Sequence, residues 1–282
     1  MTRTRPIGIL ILAGACLMAP LAGLGCSVTP PGSRKGGIRA RMVLHQREHT
    51  VPIEGEPIAV GRFLGVDVTN NAGGVFVTAH DRYEEAKVEF HVRHVLLLRK
   101  LAREENWPDD ALRGPWFVAE HDHGSQTGVL RVRATDRTLP DGSRPLLDVH
   151  IYTPACDGVV IENTHGDVEL VGVRGTVSVV SDGGIELRTD EPLTQDLSLR
   201  TSGSGVLVVA APTSSGTFLI TAPEGRATFT SKFGTAERVT SEQGRWIGVW
   251  NGGANTVTLQ AAHGHARYMV KDRPELYTPS FH

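Results

Sequence analysis

The chain has 282 residues, 40% of them hydrophobic, and a formal net charge of -2. That is long enough for one large domain or two small ones, each able to bury a core. Near-neutral balance without a dense lysine and arginine cluster excludes the counterion-releasing phosphate contacts on which nucleic-acid binding depends.

Arg3 and Arg5 precede a run from Ile7 to Leu24 that carries no charged residue. This is the charged-then-apolar order of an export signal. Gly14, Pro20, Gly23 and Gly25 interrupt the run, which favours cleavage after residue 25 over a retained span. Gly23-Leu24-Gly25-Cys26 resembles the lipobox of bacterial lipoproteins, with Gly23 standing where that motif usually has leucine. The resemblance implies lipid attachment at Cys26. A plain secretory signal cut near Ala22 or Gly25 is the alternative, and cleavage before Cys16 would leave too short an apolar region. Ser27 after the cysteine resembles the outer-membrane choice of enteric-type sorting. The expected location is therefore the cell envelope, membrane-anchored, at the outer membrane or the periplasmic face.

Residues 26–41 read as a lipidated tether, rich in Pro, Gly and Ser up to Ser33. Arg34, Lys35, Arg39 and Arg41 follow, either solvated or touching anionic headgroups. Residues 42–63 are a lead-in or cap. Between His91 and Gly124 the strand pattern breaks. Good helix formers from Val95 to Glu105, ended near Pro108, predict a partly helical or irregular insertion over 91–124. Cys156 follows Pro154 beside an apolar run and reads as buried packing.

From Gly158 onward, glycine-led units recur at spacings near nine to eleven residues, with gaps about twice that after Gly184 and Gly225: Gly158, Gly166, Gly175, Gly184, Gly205, Gly216, Gly225, Gly244 and Gly253. "DLSLR" fills the long gap after Gly184 as a unit without its glycine. Apolar residues alternate within the units, as in Val168 and Leu170, Val177 and Val179, Ile185 and Leu187. Period two predicts half-buried strands, and glycine at that frequency argues against helix. The likeness of one unit to the next predicts a single all-β domain over 64–270, a β-solenoid in which each unit stacks on its neighbour and Val168 and Val177 share a column. A β-sandwich is the alternative. The tail, 271–282, is expected to cover one open end and the 91–124 insertion or the lead-in the other.

"PLLDVHIYTPACDGVVIENTHGDVELVGVRGTVSVVSDGGIELRT" resembles the bacterial putative-adhesin family, a domain of unknown function with repeated Gly-Asp-Val and Gly-Thr-Val units. The match runs through Val149 to Ile151, Pro154, Val159 to Ile161 and Gly166 to Val168. "LGVDVTNNAGGVFVTAH", Leu64 to His80, resembles the first coil of such domains. The resemblance implies an extended β-solenoid with an adhesin-like role.

Chemistry-bearing residues are sparse. His121 with His123, and His263 with His265, have the spacing that puts two rings on one strand face, and His91 or His94 is a candidate third ligand. No cysteine pair or His-Glu-x-x-His run accompanies them, so no metal and no cofactor is expected. Glu162, Glu169 and Glu186 are expected to point outward on adjacent coils, in a column diluted by Ser178 and Ser198. They are the carboxylates a carbohydrate-active β-helix, a polysaccharide lyase or glycoside hydrolase, would use. No catalytic residue is assigned. The expected role is non-catalytic, with the membrane as partner through the lipid and a glycan or envelope protein bound along the strand faces. Cys26→Ser should move the protein from the membrane fraction to the soluble one, checked by fractionation and by the mass of the amino-terminal peptide.

Overall fold

Short strands with alternate apolar residues need both a backbone partner and a cover for one face, and the computed structural model shows where each comes from. It describes residues 45–52, 63–96, 117–122, 127–135, 138, 144 and 146–277. Residues 48–94 and 107–282 form one unit; 1–47 and 95–106 belong to another, in which only the ends of two strands are described. Cys26, His123 and most of the expected helix lie outside the described residues. Among the described residues no helix is long and apolar enough to cross a membrane.

The strands in chain order begin with β1 (His45–Pro52), β2 (Phe63–Asn70), β3 (Val75–Ala79), β4 (Lys87–Leu96), β5 (Phe117–Asp122) and β6 (Thr127–Ala134). Next come β7 (Leu146–Thr153), β8 (Cys156–Asn163), β9 (Val168–Val171), β10 (Val173–Ser181), β11 (Ile185–Thr189), β12 (Leu197–Thr201) and β13 (Val206–Ala210). The last are β14 (Gly216–Thr221), β15 (Ala227–Thr230), β16 (Glu237–Glu242), β17 (Arg245–Trp250), β18 (Thr256–Ala261) and β19 (Ala266–Val270), followed by a single 3-10 turn, Pro274–Leu276.

They make two sheets. Sheet A runs β1-β4-β7-β3-β9-β11-β13-β19-β15, and sheet B runs β16-β17-β14-β18-β12-β10-β8-β2-β6-β5. Seven consecutive pairs, β2 with β3, β6 with β7, β8 with β9, β10 with β11, β12 with β13, β14 with β15 and β18 with β19, place one strand in each sheet. Each such rung pairs with its neighbours in parallel. Antiparallel pairing joins β4 to β7, β5 to β6, and β17 to β14 and β16. The fold is all-β, two-sheeted and mixed in strand direction.

The alternation read from sequence is the burial pattern. Val159 and Ile161, Val177 and Val179, Leu197 and Leu199 point inward from sheet B; Val168 and Leu170, Ile185 and Leu187, Val206 and Val208 point inward from sheet A. All belong to one core. Two expectations change here. Val168 and Val177 do not share a column, because a nine-residue unit is half a rung: Val168 pairs with Val75 and Ile185 in sheet A, Val177 with Val159 and Leu197 in sheet B. Gly158 and Gly175 do not start strands either. They lie inside β8 and β10, where the register shifts between Arg174 and Val177.

Rung order also departs from chain order. β2–β3, the first rung in the chain, sits between β6–β7 and β8–β9, and β18–β19, the last, sits between β12–β13 and β14–β15. At one end the outer rung β6–β7 is flanked by antiparallel β5 and β4, and at the other β14 is flanked by antiparallel β17 with β16 beyond it, while β15 is the last strand of sheet A; the added strands occupy backbone groups that an open edge would present to other chains. Val95 and Leu96 are strand, continuing β4, where helix was expected. The described part of the tail, to Tyr277, lies along sheet A instead of over an end of the stack. The backbone N–H of Lys271 donates to Ala210 O (3.0 Å) and Arg188 donates from Nη1 to Tyr277 O (3.1 Å), which lays the tail against β11 and β13.

Turns from sheet B to sheet A carry a buried polar column that sequence patterning does not reveal: Asn70, Asn163, Ser181 and Thr201. Asn163 Nδ2 and Ser181 Oγ both donate to Gly166 O (2.7 and 2.9 Å), and Thr201 Oγ1 donates to Gly183 O (2.5 Å). Each satisfies turn carbonyls that the ladders leave over. Gly166 itself sits at φ +112°, where a Cβ would overlap the Gly73 carbonyl of the next rung. Gly166→Ala should therefore cost about 3 kcal/mol in urea unfolding. Gly252→Ala, at φ +60° with nothing within 4 Å, should cost about 1 kcal/mol.

Candidate functional site

The outer face of sheet A brings together residues far apart in the chain. Register sets Glu89 of β4 beside His150 of β7, His150 beside Phe76 of β3, Phe76 beside Glu169 of β9, and Glu169 beside Glu186 of β11. Period two then places Lys87, Tyr152 and Arg188 on the same face two residues along.

Rings dominate one half of this face. Phe76 stacks on His150 with centroids 4.5 Å apart and planes 14° apart, and His91 lies 4.2 Å from His150. Tyr152 is 6.3 Å from His150 and 5.5 Å from Tyr83, and Arg82 stands 4.8 Å over the Tyr83 ring. The five rings form one contiguous, half-buried row. Glu89 stands beside it, paired with Lys87 and 3.4 Å from His91 Nε2. Burial acts to raise the Glu89 carboxyl, but the bonds from Lys87 and His91 outweigh it and hold it below the ordinary range. Burial, reinforced by Glu89, raises the Tyr152 hydroxyl, so the ring row meets solvent with a neutral phenol.

Arg188 organises the other half. Its Nη2 donates to Glu169 Oε1, its Nε lies 2.9 Å from Glu186 Oε1 without a hydrogen-bonding angle, and its Nη1 reaches the tail at Tyr277 O. Burial raises the Glu186 carboxyl above its ordinary 4.5, with Arg188 pulling it down and Glu169 pushing it up. Glycosidic cleavage needs two carboxylates about 5 to 10 Å apart with substrate or water between them. Here adjacent strands put the two about 4.8 Å apart in backbone spacing, and the Arg188 guanidinium is hydrogen-bonded to one and ion-paired with the other. Glu162 does not join them: it lies in β8 of sheet B, as do Ser178 and Ser198 in their own strands of that sheet. The expected three-carboxylate column is thus a pair.

The candidate histidines lie in different parts of the fold as far as they are described. His121 is on β5, while His263 and His265 lie in the turn between β18 and β19 and not on one strand face. His263 Nδ1 is 2.5 Å from Glu224 Oε2, and His265 Nδ1 accepts from the Arg226 N–H at 3.0 Å. Among the described residues no group of three His, Cys, Asp or Glu side chains is placed to hold a metal ion. Cys156 is buried at 1% exposure, and burial pushes its thiol up to about 12.

No protein-family model matches the chain, and no curated protein does. Two crystal structures are similar in part. One, of a putative cell adhesion protein from Clostridium sporogenes, has a TM-score of 0.48 at 9% identity, over 80% of this chain and 100% of that one. The other, of a putative adhesin from Bacteroides fragilis, has a TM-score of 0.27 at 9% identity, over 81% of this chain and 97% of that one.

Arg188→Ala should destabilise the fold by about 1–3 kcal/mol near pH 7, since it leaves two half-buried carboxylates facing each other. The sign with pH follows from the raised Glu186: its folded form holds a proton over a window above 4.5 where the unfolded form has lost it, so stability falls as pH rises through that window. Without Arg188 that fall steepens. Urea midpoints should show a larger deficit near pH 7 than near pH 4.

Proposed function

We propose that the chain is a cell-envelope lipoprotein, acylated at Cys26, whose stacked rungs work as an adhesin-like β-solenoid and bind a glycan or envelope protein without catalysis. The observation that supports this reading is the row of Tyr83, Tyr152, His150, His91 and Phe76 on the outer face of sheet A, flanked by Lys87 and Glu89. Half-buried rings supply apolar contact at little entropic cost, and the charged groups beside them supply hydrogen bonds. A sheet face held at both ends of each strand is also rigid, which limits the ordering entropy of binding.

The lipid would fix one end at the membrane, and the 26–41 tether would let the domain sample the space around it. Attachment and recognition are then separate tasks. Cys26 serves the first and the sheet face the second.

Glycan arrays and pull-downs from envelope extract, run with the acylated chain in detergent, test the reading. Phe76→Ala combined with Tyr152→Ala should lower retention at least tenfold while thermal melting still shows a cooperative fold. Glu169→Gln with Glu186→Gln should leave binding partly intact. Cleavage of a retained glycan that vanishes in this second pair would replace the binding reading with a carbohydrate-active enzyme.

A further inference from the structure

A strand at the edge of a sheet offers unpaired N–H and C=O groups to any other strand, and charges, prolines and bulges are the usual protection. Three of the four edge strands carry it. β1 contains Arg47, Glu48 and Pro52, and β5 contains Glu120 and Asp122. β16 contains Glu237, Arg238 and Glu242, and its pairing with β17 shifts between Glu237 and Thr240, where Arg238 takes a φ of +51°. β15 differs. Its four residues, Ala227-Thr228-Phe229-Thr230, bear no charge and pair with β19 without a bulge.

Register decides which of its backbone groups are left over. The Ala266 N–H donates to Arg226 O (3.0 Å), so Arg226, Thr228 and Thr230 turn their N–H and C=O groups to β19, and Ala227 and Phe229 turn theirs the other way. β15 is the last strand of sheet A, and among the described residues no strand takes up those groups. The Ala227 and Phe229 side chains pack on the core, which leaves Thr228 on the outer face of the sheet. The segment that follows, 231–236, crosses to β16. There Gly234 stands against Trp250, whose ring would lie 3.3 Å from a Cβ, and Phe233 is 47% exposed.

We infer that β15 pairs antiparallel with β15 of a second copy, about a two-fold axis through Thr228, joining the two A sheets into one. In that register Ala227 faces Phe229 of the second copy. The two strands then exchange the N–H and C=O groups that β19 leaves over, and Thr228 faces its own equivalent. The flanking sequence fits the same register: counted outward from Thr228, Glu224 falls opposite Lys232, and the exposed Pro223 opposite the exposed Phe233. Sliding the copies until Phe229 faces itself would instead set Arg226 against Lys232. Charge complementarity thus favours a second copy of this chain over an unrelated extended peptide, and fixes the register. An isologous pair closes at two and leaves no free β15 edge. So short a strand makes the pair weak, with a Kd on the order of 0.1 mM. The inference uses neither the ring row of sheet A nor the lipid at Cys26, and it survives if that face binds nothing.

Sedimentation equilibrium of the acylated chain in density-matched detergent should show monomer and dimer exchanging between ~10 µM and ~1 mM. Lys232→Glu should weaken the dimer several-fold, and adding Glu224→Lys to it should restore the affinity, which a merely structural role of either residue would not do. Ala227→Pro removes an outward donor and no bond to β19; it should weaken the dimer at least tenfold while melting stays cooperative. Thr228→Cys should oxidise to a covalent dimer, because opposed residues of a non-hydrogen-bonded pair have Cα atoms about 4.5 Å apart, within disulfide reach. Thr230→Cys, which faces Arg226 in this register, should not. A chain that stays monomeric at about 1 mM, self-association indifferent to both Lys232→Glu and Ala227→Pro, or Thr230→Cys cross-linking as readily as Thr228→Cys would overturn the inference.

Discussion

No rung of this fold has a core of its own. A rung offers one short inward row from each sheet, such as Val177 and Val179 facing Ile185 and Leu187, and those side chains are covered only when the next rung closes over them. Burying one such side chain contributes about 1.5–3 kcal/mol, against about 1–2 kcal/mol per residue for ordering the backbone. A lone rung, with its ladder bonds unmade and its core half wet, loses that comparison. Everything else in the structure follows from the need for cover along the stack as well as across it.

The ends show the constraint most clearly. Inside the stack the core is aliphatic and regular, but near the β14–β15 rung it turns aromatic. Phe229 lies between Trp246 at 4.8 Å and Tyr268 at 5.5 Å, both nearly parallel to it, with Phe218 and Trp250 at its edges. The outermost rung lacks a following rung, and bulk from β17 fills the space instead. Inserting β18–β19 inside β14–β15 has the same logic. The chain lays down its outer rung and closing hairpin first, then returns to fill the gap, so its carboxyl-terminal strand is buried between partners on both sides.

Strand positions were legible in the sequence because burial has period two, and "DLSLR" was recognised as a strand without its glycine for that reason. Which sheet each strand joins was not legible. Alternation says that a strand has an inside, not which of two facing sheets owns it, and so Val168 and Val177 looked equivalent. Rung order was hidden too, since every rung presents nearly interchangeable aliphatic pairs, and only the long connections 80–126 and 231–255 hint that something intervenes. Of the candidate site, Glu169 and Glu186 were visible as outward residues of consecutive units. The ring row was not, because Phe76, Tyr83, His91, His150 and Tyr152 come from three strands and a turn, and the first and last of them are 76 residues apart in the chain. The polar turn column was missed because Asn, Ser and Thr before a glycine read as ordinary turn residues whether or not they face inward.

Parallel stacking also explains why the outer face carries recognisable groups. In a parallel ladder, residues at the same register stand side by side about 4.8 Å apart, so a residue type that recurs in the repeat recurs as a column. Repetition of leucine there is harmless, whereas repetition of glutamate sets like charges in contact. At Glu169 and Glu186 the conflict is met by Arg188, two residues along on the same face, and the arginine in turn fastens the tail. Where the column instead contains Phe76 and His150, the same proximity becomes ring stacking. One geometric rule thus yields a charged hub and an aromatic row on neighbouring strands of the outer face of sheet A.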